Sequence, residues 1–311
     1  MRVLVTGGAG FIGSHLLRLL LAQGEEAWAL DNLSTGLRTN VPDGVHFVEM
    51  DVKDPALSAF IENQHFDAIV HLAGQTMVND SMLKPALDAE ENVVNTVRLL
   101  SAAHQGNVKR VIFSSTAAVY GNVTEADLPV RESKTPCPMS FYGLSKYTVE
   151  KYLALCHEIY GLDYVVLRFA NVYGERQGDG GEGGVISIFV RAVAERKPVT
   201  IFGDGEQTRD FIYAGDVAAG IYAALKTTQP NAAYNISTET ETSLRALLSI
   251  LEQVAEQKIV PKYAKEREGD IYKSMLCNER ARRGLHWQPK ISLTEGLRRT
   301  YEDLAKREKK G

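Results

Sequence analysis

Cysteine is scarce in this chain, basic charge is not in excess, and no long apolar run interrupts its 311 residues. Each deficit excludes something. The three cysteines, Cys137, Cys156 and Cys277, form no close pair, and an odd, sparse set builds no disulfide framework. A reducing cytoplasm is therefore the expected compartment. Thirty-five Lys and Arg against 39 Asp and Glu leave a formal charge of −4, the wrong sign for a nucleic-acid binder that relies on a strongly basic surface. The longest stretches without Asp, Glu, Lys or Arg, residues 3–17 and 111–124, contain polar residues and fall short of a bilayer span, so no membrane partner is expected. Met1-Arg2 is followed by only four residues before the glycines, too few for a secretory apolar segment. His65, His71, His104 and His157 show no metal-ligand spacing and read as surface or packed histidines, so no metal is expected. Internal repeats and low-complexity tracts are absent as well.

With 44% hydrophobic and 24% charged residues, the composition is that of an ordinary globular protein, long enough for one large domain or two. Short β-rich runs alternate with amphipathic stretches through the first half. Strands are expected at 3–5, 27–30, 45–50, 68–72, 111–114 and 164–168, with helices at 11–23, 55–63, 86–104 and 141–160. Apolar strands without alternation, separated by helices, mean a parallel sheet covered on both faces: an α/β, doubly wound Rossmann fold. Composition shifts after Asn171. Residues 176–184 (RQGDGGEGG) hold five glycines, either a loop over a ligand or a surface linker. Beyond it, helices are expected at 185–196, 217–225, 244–257 and 292–309, with a strand at 199–202. Two lobes follow: a nucleotide-binding domain over 1–170, with a return segment near 212–237, and a smaller α/β cap over 171–311.

Gly7, Gly8, Gly10 and Gly13 lie between the first strand and the first helix. Glycine is needed where backbone must turn sharply, approach a pyrophosphate and let helix and strand pack closely. The free N–H groups and positive end of the following helix then face that pyrophosphate. Asp31, 18 positions after Gly13, ends the second strand. A carboxylate there accepts hydrogen bonds from the adenosine ribose and repels a 2′-phosphate, which points to NAD over NADP. Asp51 and Val52, after the third strand, are placed beside the adenine.

Tyr142 and Lys146 are four apart on one helical face, yet Tyr147/Lys151 and Tyr222/Lys226 match the same spacing. What singles out Tyr142 is the polar strand end Ser114-Ser115-Thr116, because ligands in a parallel sheet bind at the carboxyl ends of strands. A free tyrosine titrates near about 10; bringing it to about 7 needs about 4 kcal/mol of stabilisation of the phenolate. A close Lys146 and a positively charged nicotinamide are the expected sources.

Together TGGAGFIG, DNL, the HLAG of residues 71–74, SSTAAVYG, YGLSK and LRFANVYG resemble the extended short-chain dehydrogenase/reductases, and within them the UDP-galactose 4-epimerases and their sugar-nucleotide relatives. The resemblance covers nearly the whole chain. It implies Thr116 as the holder of the reacting sugar hydroxyl, Tyr142 as the acid/base, and Lys146 as a bridge to the nicotinamide ribose. It places Gly7, Gly10, Phe11, Ile12, Gly13, Asp31, Asn32, Asp51, Val52, Leu72, Ala73, Asn92, Ser114 and Phe169 along NAD. Asn171, Val185, Phe202, Arg209, Arg267, Asp270 and Ser274, with Thr116, would meet a UDP-sugar. Guanidinium forks match phosphate oxygens geometrically, which suits Arg209 and Arg267 to a diphosphate.

The resemblance also bears on the reaction. Dehydratases and decarboxylases of this superfamily carry an acidic residue after the strand-end Thr or Ser, where this chain has Ala117-Ala118. Reversible oxidation at C4 with return of the hydride, an epimerisation, is therefore expected. Two departures concern the substrate. Gln75-Thr76 stand where Leu-Lys is common, and the small Ser274 stands where bulkier residues exclude N-acetyl groups, so either the pocket admits UDP-GlcNAc and UDP-GalNAc or a neighbouring loop fills the space. A UDP-glucuronate 4-epimerase, another NAD-dependent sugar-nucleotide oxidoreductase and a dinucleotide sensor are the rivals. A homodimer through helices 86–104 and 141–160 is implied by the family; Leu99, Leu100, Val149, Leu153 and Ile159 form the apolar stripe that would serve either that interface or the monomer's own sheet.

Overall fold

Val3, Leu4 and Val5 have no exposed surface, which an apolar run achieves only when both faces of its sheet are covered. In the computed structural model, whose described residues are 1–178, 184–266 and 271–308, this strand is the centre of the fold. Strands β1 (Arg2–Thr6), β2 (Glu26–Asp31), β3 (His46–Glu49), β4 (Ala68–His71), β5 (Arg110–Thr116) and β6 (Asp163–Phe169) join Ala232–Ile236 in one seven-stranded sheet. All pairings in it are parallel, and the order is Ala232–Ile236, β6, β5, β4, β1, β2, β3. Side chains alternate between two cores: Val3, Val5, Ile112, Val165 and Leu167 face one, and Leu4, Val111, Phe113 and Val166 the other. The order reverses between β1 and β4, which opens a crevice at their carboxyl ends.

Helix Phe141–Tyr160 has the bounds its punctuation dictates. Ser140 Oγ accepts the Gly143 N–H at 3.1 Å, and Gly161 ends the helix in the left-handed region at φ 70°. The stretch 86–104 behaves differently. It breaks into Pro85–Ala89, a π turn at Glu90–Val94 and Asn95–Gln105, with Asn92 turned inward and buried. Of the apolar stripe considered for a subunit interface, Leu99, Leu100, Val149 and Leu153 are buried in the monomer's core, and only Ile159 is exposed.

A third core lies beneath the C-terminal half. Ile186, Phe189, Val190, Leu247, Leu251 and Leu297 meet there, beneath short paired strands: Asn171–Tyr173 with Phe211–Tyr213, Thr208–Arg209 with Thr242–Ser243, and Thr200–Phe202 with Lys262–Ala264.

One buried ion pair ties helix Phe141–Tyr160 to the sheet. Arg168 Nε and Nη2 donate to the two Glu150 oxygens at 3.0 and 2.6 Å, and Ser115 Oγ donates to Oε1 at 2.6 Å. Arg168 Nη1 reaches Tyr120 OH, which donates to Asn235 Oδ1 on the edge strand. Both charged side chains are nearly inaccessible, at 6% and 7%. Removing one partner leaves the other buried and uncompensated. Glu150→Ala is therefore expected to lose about 3–5 kcal/mol in urea unfolding, and the double variant Glu150→Leu/Arg168→Met to recover part of that loss.

Candidate active site

The turn after β1 can be made only by glycine. Gly7 takes φ 69°, and a Cβ on Gly13 would lie 2.2 Å from the Gly7 carbonyl oxygen. On Gly8 it would lie 2.7 Å from Ala29 Cβ of β2. Helix Phe11–Ala22 is thereby brought close to the sheet, with its first N–H groups at the crevice. Asp31 ends β2 with both oxygens oriented by backbone: Oδ2 accepts from Ala9 N and Oδ1 from Leu33 N, each at 2.9 Å. Burial raises its pKa against those two hydrogen bonds. Asn32 Nδ2 donates to Asp51 Oδ2 at 2.8 Å, which fixes the end of β2 against the segment after β3.

These residues border one cavity of about 570 Å³, within the range of cofactor sites. Gly7, Gly10, Phe11, Ile12 and Gly13 form one part of its wall, and Asp31, Asn32, Asp51 and Val52 another. Leu72, Ala73, Ser114 and Phe169 border it too, as do Thr116, Tyr142 and Lys146. Glycines where a Cβ would collide, free helix N–H groups and an oriented carboxylate are the features a dinucleotide requires, so the residues present fit NAD.

Along this part of the wall, Tyr142 and Thr116 share a hydrogen bond. Lys146 Nζ lies 5.9 Å from the Tyr142 ring centroid and 5.0 Å above the Phe113 ring. The chain's own groups supply only part of the stabilisation expected to bring this tyrosine toward 7. Burial pushes Tyr142 up to about 12, against the hydrogen bond from Thr116. Burial also pulls Lys146 down to about 8, with the Asp88 charge opposing. Desolvation of the phenolate outweighs what these side chains supply.

Asn92 is displaced from the role expected of it. It does not border the cavity but lies behind Gln75, with Nδ2 donating to Gln75 O at 3.1 Å and to Asp88 Oδ1 at 3.0 Å. The next turn presents Asn95 to the cavity instead. His71 is a packed histidine: it lies between Thr6 Oγ1 (2.7 Å) and Thr96 Oγ1 (2.9 Å), and burial brings its pKa to about 3.

On the far side, Asn171 and Val185 border the same cavity; Phe202, Arg209 and Ser274 are not among its lining residues. Phe202 pairs in register with Ala264, and Arg209 Nη1 donates to Thr208 O at 2.8 Å. Arg267 and Asp270 lie outside the described residues. Asp210, which sequence reasoning missed, organises this side. Its carboxylate accepts from Thr238 N (2.9 Å), Thr238 Oγ1 (2.7 Å), Glu239 N (3.1 Å) and Leu276 N (3.3 Å), and its carbonyl accepts from Asn171 N (2.9 Å). The segments carrying Asn171, Arg209 and Ser274 are thus pinned to one buried carboxylate. Gln177 was also missed. It borders the cavity, and its Oε1 is buried without a partner among the described residues. Its place directly after the LRFANVYG run was the available signal.

Comparison with known proteins agrees with this geometry. The model of the NAD dependent epimerase/dehydratase family matches residues 3–237. A Mycolicibacterium smegmatis UDP-glucose 4-epimerase is 38% identical over 308 residues, covering 97% of this chain and 98% of its own. The structure of the Thermotoga maritima UDP-glucose 4-epimerase with UDP-glucose superposes with a TM-score of 0.95 at 38% identity, covering 99% of each chain. That of a Methanobrevibacter ruminantium UDP-N-acetylglucosamine 4-epimerase, in complex with UDP-N-acetylmuramic acid, gives 0.93 at 33% identity and 98% of each. The chain belongs to the NAD dependent epimerase/dehydratase family, as an NAD-dependent enzyme of the isomerase class on an extended short-chain dehydrogenase/reductase fold.

Proposed function

We propose that the protein is a 4-epimerase of UDP-hexoses, interconverting UDP-glucose and UDP-galactose. One observation carries the reading: Thr116, Tyr142 and Lys146 border the same cavity as the glycine turn and Asp31, with Ala117-Ala118 where a second acid would stand. NAD, when bound, supplies an acceptor for the C4 hydride and its later return. Tyr142, once ionised, takes the proton of the C4 hydroxyl, and Thr116 holds that oxygen through the hydroxyl that now meets Tyr142. The resulting 4-keto sugar turns about its diphosphate, and Tyr142 returns the proton after hydride has come back to the opposite face. A grip that is firm on UDP and loose on the hexose serves this rotation, so binding energy comes chiefly from the nucleotide.

The glycine turn, Asp31, Asn32, Asp51, Val52, Leu72, Ala73, Ser114 and Phe169 are assigned to NAD, with residues 1–170 and the returning 212–237 as its lobe. Asn171, Val185, Phe202, Arg209 and Ser274, with Arg267 and Asp270, are assigned to the UDP-sugar, with 171–311 as its lobe. Ser274 is small, and a relative named for UDP-N-acetylglucosamine lies within 33% identity, which supports UDP-GlcNAc and UDP-GalNAc as further substrates. A second copy of the chain is the proposed partner. Leu144, Leu155 and Ile159 leave 48%, 51% and 61% of their surface exposed along helix Phe141–Tyr160, beside exposed Leu87 and Val94, an apolar face suited to self-association. No helix among the described residues is long and apolar enough to cross a membrane, and the cytoplasm is the proposed location.

Tyr142→Phe is expected to fold and retain NAD while kcat falls about 100- to 10,000-fold, the usual contribution of a general acid/base; wild-type turnover of UDP-glucose in that variant would overturn the assignment. Asp31→Ala should weaken NAD, titrated by protein fluorescence, by tenfold or more and narrow the preference over NADP. Ser274→Tyr should cut kcat/KM for UDP-GlcNAc at least tenfold relative to UDP-glucose; equal losses on both sugars would remove Ser274 from specificity.

A further inference from the structure

Behind Tyr142 and Lys146 lies a buried carboxylate that the reaction above leaves unused. Asp88, on the short helix Pro85–Ala89, is 1% exposed. Two neutral donors hold it: Ser145 Oγ reaches Oδ2 at 2.5 Å, and Asn92 Nδ2 reaches Oδ1 at 3.0 Å. Among the described residues, no ammonium or guanidinium comes within the 4.0 Å of an ion pair. A buried carboxylate with no contact cation is costly, and compensation must come from a charge farther away.

Lys146 has the complementary need. Its side chain is buried, its Nζ sits over the Phe113 ring, and it too lacks an ion-pair partner among the described residues. The π turn Glu90–Val94 places Asn92 beside both. It turns Asn92 inward, so that Nδ2 fixes Asp88 while Oδ1 stays without a partner. That Oδ1 lies 2.5 Å, and Lys146 Nζ 3.8 Å, from the point a Cβ on Gly74 would occupy. Ser145, the other holder of Asp88, is the residue before Lys146 in the chain. The other ionisable groups around Lys146 do not compensate it. His71 from β4 is neutral by burial, Glu150 on the same helix is taken by Arg168, and Tyr142 carries a proton. Asp80 and Glu91 border the shared cavity.

We propose that Asp88 is a positioning residue, the buried counter-charge that keeps the Lys146 ammonium charged and in place beside Tyr142. Its field acts on both members in the same sense, favouring the ammonium and disfavouring the phenolate. The resting pair is thereby held as phenol and ammonium. The inference rests on the acid/base reading of Tyr142 and Lys146.

The test is a double-variant cycle on the purified protein at saturating NAD, read by urea unfolding of wild type, Asp88→Asn, Lys146→Met and the double variant. The amide replaces the carboxylate at equal size and can still pair with both Ser145 and Asn92, so the charge alone is removed. Lys146 titrates from about 8, so its charge is present at pH 6.5 and lost at pH 10. At pH 6.5 the product of the two single-variant changes in unfolding constant should exceed that of the double variant tenfold or more; at pH 10 the two should agree within twofold. A coupling of equal size at both pH values, or none at either, overturns the proposal, because a purely structural Asp88 has no reason to sense Lys146 protonation. Should Asp88→Asn not fold, Asp88→Ser takes its place in the cycle. The readout is stability, so a failed cycle leaves the outcome of Tyr142→Phe turnover untouched, and the reverse also holds.

Discussion

The site depends on one buried pair of charges. Tyr142, Lys146 and Glu150 follow one another at four-residue intervals, and so share one face of helix Phe141–Tyr160. Glu150 is the anchor of that face. Its two oxygens are engaged by Arg168 of β6, and one also accepts from Ser115 of β5, the neighbour of Thr116. The rotation and depth of the helix over the sheet are therefore fixed one turn beyond Lys146. A fork-to-fork contact specifies direction as well as distance, which a purely apolar contact at that place would not do. The same arginine reaches Tyr120 and, through it, the edge strand, so the loop after Thr116 is bound into the arrangement that holds the catalytic helix.

A second buried carboxylate plays the corresponding part across the cavity. Asp210 gathers Thr238, Glu239 and Leu276 by hydrogen bonds to its side chain, and Asn171 through its carbonyl. Burial nevertheless raises its pKa to about 6. A group whose folded pKa lies above its unfolded value contributes stability that is present in acid and lost as pH rises through the folded value. Asp210 thus does not account for stability at neutral pH. Its value lies in specifying which segments meet beside Asn171, a role that four convergent donors perform whether or not the carboxyl is ionised.

Most of the sheet could be read from the sequence because its strands are short apolar runs that sit between glycines and amphipathic helices. Helix Phe141–Tyr160 could be read to the residue, since Ser140 and Gly161 mark its ends chemically. Strand Ala232–Ile236 escaped as a strand: AAYNI has one β-branched residue, and pairing with β6 makes it a strand. The π turn at Glu90–Val94 escaped for a different reason. Periodicity averages over turns and cannot register one extra residue, so Asn92 was assigned to the cofactor when its side chain is engaged behind the cavity wall. Asp88 stood in a polar stretch, DAEEN, with nothing local to separate a buried carboxylate from exposed ones. Asp210 and Gln177 owe their importance to segments distant in sequence, which no local pattern encodes.

Burial governs the charges around Tyr142. Sequence reasoning expects a close lysine and a positively charged nicotinamide to lower the tyrosine together. In the folded chain, burial dominates both groups, raising the phenol and lowering the ammonium. Dry surroundings disfavour any unbalanced charge, so removing the proton from Tyr142 requires a positive charge that arrives with the ligands. Low dielectric also strengthens attraction between close charges, because that attraction grows as water is excluded. The chain's overall charge of −4 has little part in this. The local balance among Tyr142, Lys146 and Asp88 is set by burial and by the two helices that carry them.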